Sequence, residues 1–189
     1  PVLPCPSLFA VDEYHIESAS GEFVVLNFME LAGHYSFGQT IDTEKWKHVF
    51  MRFYSAIRHQ VDVFFACHSL AEVELARSID RDAKTFYSTH PADYIKLYAR
   101  AQYGIVNRLH AAYALASLGK PSLVIGNDSR ARMADSIVSE RVHVNDVTVD
   151  ALVDRCVKLA NSAPHFGDII RRTKRKALAD YMDSLAVVA

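Results

Sequence analysis

Residues 103–130 read YGIVNRLHAAYALASLGKPSLVIGNDSR, and this stretch decides the fold class. YGIVN is a short apolar run ending in a polar residue, which reads as a strand. RLHAAYALASLG is a helical segment that stops at Gly119, with Pro121 two residues on. PSLVIG is a second strand, and it runs into the polar loop NDSR. Strand, helix, strand with a single helical crossover is a parallel unit. Small side chains at Ala111, Ala112, Ala114 and Ala116 let the helix lie close to the sheet. Arg108 and His110 stand at the mouth of that helix, and Arg130 follows the next strand. The cationic residues thus fall at the same kind of place in consecutive units.

The same alternation extends in both directions. Strands are predicted over residues 22–28, 61–67, 84–88, 103–107, 121–126 and 142–145. Helical periodicity fills 43–60, 69–79, 91–101, 108–119 and 129–139. Two further helices are predicted at 147–163 and 164–188, the second beginning at Pro164. Trp46, Val49, Phe50, Phe53 and Ile57 mark the buried stripe of the first long helix. Thr43 is its expected N-cap. Ser69 and Glu72 form a capping box, and Pro91 takes a first-turn position. Six such repeats predict an α/β protein, a doubly wound, Rossmann-like parallel sheet of about six strands with a long C-terminal helix. Three regions are expected: residues 1–20 as a linker segment, 21–163 as the Rossmann-like domain, and 164–189 as a C-terminal helix. The proline-rich start, PVLPCPS, reads as a domain boundary or a fragment of a longer chain.

With 189 residues and half of them hydrophobic, the chain can bury one sizeable core. A formal net charge of -1 gives no global attraction for nucleic acid or acidic membranes. No apolar run reaches the ~18 residues that a membrane-spanning helix needs. Three widely spaced cysteines form no C-x-x-C pair, which argues against a zinc site or a disulfide framework. A reducing, cytoplasmic setting is the economical expectation. The RRTKRK run at 171–176 is the only charge block and reads as a solvated helix face.

Ligands of open α/β sheets bind beyond the carboxyl ends of the strands. Strand by strand, the residues mapped there are Asn27 and Phe28, with His34 and Tyr35 in the following loop; His68 and Ser69; Ser88, Thr89 and His90; Asn107, Arg108 and His110; Gly126, Asn127, Asp128, Ser129 and Arg130; Asn145 and Asp146. Four of the nine histidines, His34, His68, His90 and His110, fall on this one rim. A G-x-G-x-x-G fingerprint and a P-loop lysine are both absent, which disfavours dinucleotide binding and P-loop chemistry. Two helix starts with polar caps, Asn107 and either Asp128 or Ser129, favour an anion, as do Arg108, His110 and Arg130. A phosphate or carboxylate is the natural guest. Each residue also has a plainer reading: Arg108 paired with an acid such as Asp128, Arg130 on an exposed loop, His110 packed beneath a loop, His68 as a helix-start residue. No His/Asp/Glu cluster has metal-ligand spacing.

The combination R-L-H, G-K-P and D-S-R in this stretch resembles the C-terminal signature of the polysaccharide pyruvyl transferase family. PCPSLF, HSLAEVELA and HPADYIKLYARA resemble that family's preceding segments, so the likeness covers most of residues 4–137. The resemblance implies the C-terminal, donor-binding half of a two-lobed enzyme similar to GT-B glycosyltransferases. It implies transfer of a pyruvyl group from phosphoenolpyruvate to two hydroxyls of a sugar, on an exopolysaccharide or cell-wall glycan, forming a ketal. His110 and Arg108 match the signature's catalytic positions. Arg130, where the family often has lysine, is implied to bind the donor phosphate. Asp128 is implied to orient rather than react. Asn107, Ser129, His68, His34 and His90 complete the expected binding set. No cofactor is implied beyond phosphoenolpyruvate as donor substrate, and no metal. The expected partners are that donor, a glycan or lipid-linked sugar acceptor at the inner face of the membrane, and an N-terminal half or a second copy. Two alternatives stay open: the donor half of a nucleotide-sugar glycosyltransferase, and a non-catalytic binding module of the same fold.

Overall fold

The computed structural model describes residues 3–29 and 40–186. Six strands alternate with helices: β1 (Phe23–Asn27), β2 (Val63–Ala66), β3 (Thr85–Phe86), β4 (Ala101–Val106), β5 (Ser122–Gly126) and β6 (Glu140–His143). The helices are α1 (Ala10–Tyr14), α2 (Thr43–Ile57), α3 (Leu70–Ile79), α4 (Pro91–Ala99), α5 (Leu109–Ser117) and α6 (Val149–Ala186). Three-ten turns cover Pro6–Phe9, Ser129–Ile137 and Val144–Asp146. Every strand pairing is parallel, in the order β3-β2-β1-β4-β5-β6. The chain winds one way from β1 and the other way from β4. These two strands are neighbours, so their carboxyl ends open onto the crevice where the winding reverses.

β1 and β5 are buried along their whole length, as strands covered on both faces must be. Their side chains alternate between two cores. Phe23 and Val25 join α4, α5 and the Pro6–Phe9 turn, while Val24 and Leu26 join Trp46, Phe50 and Phe53 of α2. The α5 alanines are buried, and the helix lies so close to the sheet that a Cβ on Gly104 would stand 2.4 Å from Leu115 Cδ1. Gly119 ends the segment in a left-handed conformation, φ 74°, while the Lys120 N–H donates to the carbonyl of Leu115.

Four local expectations are revised. Asp42, not Thr43, caps α2, its carboxylate accepting from the Lys45 N–H at 3.0 Å. β6 begins two residues earlier than predicted. The helix predicted over 129–139 is a three-ten segment. The break predicted at Pro164 does not exist, because α6 runs through it as one helix of 38 residues. Proline there forfeits one backbone hydrogen bond. Burial on both sides holds the helix together: Leu152, Cys156 and Leu159 pack into the α2 core, then Phe166, Ile170 and Ala177 into the α5 core. Residues 4–9 pack against the domain. Leu8 is fully buried, and Tyr181 of α6 donates its hydroxyl to the Pro4 carbonyl.

Candidate functional site

Two asparagines close the floor of the crevice. Asn27 ends β1 and Asn107 follows β4, and both are buried. Asn27 donates Nδ2 to the Ala66 carbonyl at 2.9 Å and accepts the Arg108 N–H on Oδ1, also at 2.9 Å. Asn107 accepts the Met29 N–H at 3.1 Å and donates to the Ile125 carbonyl at 2.8 Å. Between them these side chains tie β2, β1, β4 and β5 together at one end. Asn107 is therefore not the cap of α5. Its amide is engaged with backbone, and Arg108 occupies the N-cap position without a side-chain cap. The first N–H groups of α5 have no partner within the helix and present its positive end to the crevice.

By sequence pattern Glu72 is only half of a capping box. Ser69 does accept the Glu72 N–H, at 3.2 Å. The carboxylate, however, reaches past Ser69. Its Oε2 accepts the His68 N–H at 2.7 Å, and its Oε1 accepts Nε of Arg108 at 3.0 Å and also Nη2. Glu72 is 9 % exposed, so the carboxylate end of the pair is sheltered. Asp128 does the same for Arg130: Oδ1 takes the Arg130 N–H at 2.9 Å, and Oδ2 takes Nε at 3.0 Å and Nη2. The arginines are thus each tethered to a carboxylate, and Arg108 chooses Glu72 rather than Asp128. The guanidinium side chains stay 35 % and 40 % exposed. A pocket of about 110 Å³ remains between them, lined by His68, Asn107, Arg108, His110, Asp128 and Arg130. That is several times the ~30 Å³ a water takes in the liquid. A guanidinium has five donors in a fixed fork, so Arg108, held through Nε and Nη2 by one carboxylate oxygen, has donors beyond those that Glu72 takes.

Two histidines wall this pocket. His110 is exposed. His68 stacks on Tyr94, centroids 4.4 Å apart and planes 5° from parallel, and its Nε2 lies 3.2 Å from the Tyr98 hydroxyl. Burial first, then the nearby charges of Arg108 and His110, push the His68 imidazole down to about 4, so it is neutral at physiological pH. The structure does not gather every expected residue. His90 is exposed at the N-terminus of α4 and borders neither this pocket nor the groove beside it. Ser129 opens the three-ten turn and lines a separate cavity of about 460 Å³ beyond β5 and β6, with Asp128, His143 and Asp146. His34 and Tyr35 lie outside the described residues. Among the described residues, no three His, Cys, Asp or Glu side chains gather as a metal ion would require. No helix among them is long and apolar enough to cross a membrane.

A parallel sheet in the order 321456 with helices on both faces defines a Rossmann-like domain, the fold of GT-B glycosyltransferases. Solved structures of that class share the fold: E. coli heptosyltransferase WaaC with ADP (12 % identity, TM-score 0.55, 76 % of this chain and 46 % of that chain) and a Thermobaculum terrenum O-GlcNAc transferase mutant (13 %, TM-score 0.57, 86 % and 34 %). Glycosyltransferase VinC in complex with dTDP is another (16 %, TM-score 0.50, 99 % and 44 %). The chain spans less than half the length of these structures. No curated protein matches it. The polysaccharide pyruvyl transferase family model matches residues 2–129, and the chain belongs to that family.

Proposed function

We propose that this chain is the donor-binding part of a pyruvyl transferase, and that its donor is phosphoenolpyruvate. The observation that carries the reading is the pocket between the ends of β1, β4 and β5. Two oriented guanidinium groups, a helix N-terminus and an exposed histidine face one small space there. Phosphoenolpyruvate carries a phosphate and a carboxylate on three carbons, which suits two separated arginines.

In the proposed reaction a sugar hydroxyl adds to C2 of the enol while C3 gains a proton. The C2–O bond to phosphate then breaks, and the phosphate leaves with a proton. A second hydroxyl closes onto C2 and gives up its own proton, completing the ketal. Of the two hydroxyl protons, one ends on the new methyl group and one on phosphate. Arg108 and Arg130 would clamp the donor's anionic ends, and Glu72 and Asp128 hold those arginines in place. His110, exposed at the pocket wall, would act as the general acid that protonates the leaving phosphate. The acceptor would be a glycan or a lipid-linked sugar, met by the cytoplasmic face of a membrane.

A second reading has one observation in its favour. The cavity beyond β5 and β6 holds Asp146 and a buried His143 Nε2 with no partner among the described residues, a polar setting open to a nucleotide. Isothermal titration of the chain with phosphoenolpyruvate and with UDP- and dTDP-sugars separates the two. Saturable binding of phosphoenolpyruvate, lost in Arg108→Gln, is expected. Binding of nucleotide sugars alone would favour the second reading.

A further inference from the structure

Beside the small pocket lies a larger groove, of about 370 Å³, between α1, α4 and α5. The two spaces share a wall, since His68 and His110 line both. Their chemistry differs. The small pocket is bounded by Arg108, Arg130 and Asp128, whereas no Arg, Lys, Asp or Glu lines the groove. Ile95, Ala111 and Ala114 give it an apolar floor, and Tyr14, Thr89 and Ser7 bring hydroxyls to its sides. Tyr14 is 41 % exposed, so its ring is open to a guest. His68, neutral at physiological pH, adds no charge to the shared wall.

We propose that this groove is the subsite for the acceptor's pyranose ring. The inference rests on the donor reading above for its partner, but the groove's own chemistry selects its occupant. Apart from His110 at the shared wall, the groove has no charged side chain, and an aromatic-sided space with hydroxyl groups at its edge does not suit an anion. It does suit a neutral polyol, whose C–H face carries slight positive charge and lies favourably on the electron-rich face of an aromatic ring, while its hydroxyls reach the protein's. A sugar in the groove and a phosphoenolpyruvate in the pocket would meet at His110. That is the place where the attacking hydroxyl and the donor carbon must come together. The chain would then contribute to acceptor recognition itself, and not only to holding the donor.

Saturation-transfer NMR with methyl galacto-, gluco- and mannopyranoside tests this, with phosphoenolpyruvate titrated calorimetrically into the same samples. At least one methyl pyranoside should receive saturation from the wild-type chain. Tyr14→Ala should weaken that sugar about fivefold, the usual worth of one aromatic contact. Ala10→Trp, which fills the groove, should abolish its signal. Both variants should bind phosphoenolpyruvate as the wild type does, and circular dichroism should show them folded. A sugar signal that is absent, or that survives unchanged in both variants, overturns the subsite. A signal that responds to the variants while phosphoenolpyruvate fails to bind supports the groove as a sugar site and overturns the donor reading instead.

Discussion

Arg108 directs both Nε and Nη2 at one oxygen of Glu72, a residue 36 positions earlier in the chain, while the other oxygen of that carboxylate accepts the His68 N–H. A single side chain on α3 thus sets the direction of a guanidinium at the start of α5 and anchors the loop that carries a histidine. The candidate site is built on this cross-link between two crossover units.

Removing only the charge of Glu72 should expose the strength of that cross-link. Glu72→Gln leaves Arg108, whose side chain is 35 % exposed, without its ion pair, and should cost about 1–2 kcal/mol of stability in urea denaturation. The double variant Glu72→Gln/Arg108→Gln should be more stable than the sum of the single effects by at least ~1 kcal/mol. Strictly additive losses would mean that the pair is not coupled.

Stability should also depend on His68 in a defined window. An unfolded histidine takes up its proton near 6.5, whereas folded His68 does so at about 4. Between those values the unfolded chain binds more protons. Stability should therefore fall as the pH is lowered from about 6.5 to about 4, by up to about 3 kcal/mol from this group. His68→Gln should flatten that part of the profile, measured by chemical denaturation at a series of pH values. An unchanged slope would show that His68 is as accessible to protons in the folded chain as in the unfolded one.

Gly126 ends β5 where the next turn folds back. A Cβ there would lie 2.5 Å from Ala131 Cβ, and neither atom can rotate away. Gly126→Ala should lower stability by about 1–3 kcal/mol through overpacking. It should also displace Asp128 and Arg130, weakening phosphoenolpyruvate binding in the same titration. A variant with wild-type melting temperature and affinity would show that the turn has slack.

His110 separates chemistry from folding. Because it is exposed, His110→Ala should change stability by less than about 0.5 kcal/mol. In the complete enzyme, ketal formation followed by NMR should drop by ~100-fold or more. Near-normal transfer would remove His110 from the mechanism.

Much of this molecule is legible from local pattern. The apolar runs at β1, β2, β4 and β5 and the glycine stop at Gly119 announce themselves, and so does the alanine helix pressed on Gly104. Pattern fails where a distant partner decides. Pro164 looks like a helix break because its missing N–H is a local property, whereas the burial of Leu159 and Phe166 on either side is not. Asp42 outcompetes Thr43 as a cap through one carboxylate contact that spacing alone does not reveal. At the site, Arg108, His110 and Arg130 could be placed on the rim because strand ends are readable. Glu72 could not be paired with Arg108, since that requires knowing that α3 and α5 flank the same crevice. The usable signal was modest: an acid in the first turn of a helix that opens on the ligand-facing edge is a candidate anchor for a rim arginine. His90 shows the converse, a rim histidine in sequence that borders neither pocket.

The central claim is that the pocket between Arg108, His110 and Arg130 receives the donor's phosphate end. A crystal structure of the chain grown with phosphoenolpyruvate measures this directly. The account predicts phosphate density within hydrogen-bond distance of Arg108 or Arg130 and beside His110, with Glu72 and Asp128 still holding their arginines. Density for the ligand only in the cavity lined by His143 and Asp146, or both arginines closed onto their carboxylates with the pocket empty at saturating ligand, would contradict it.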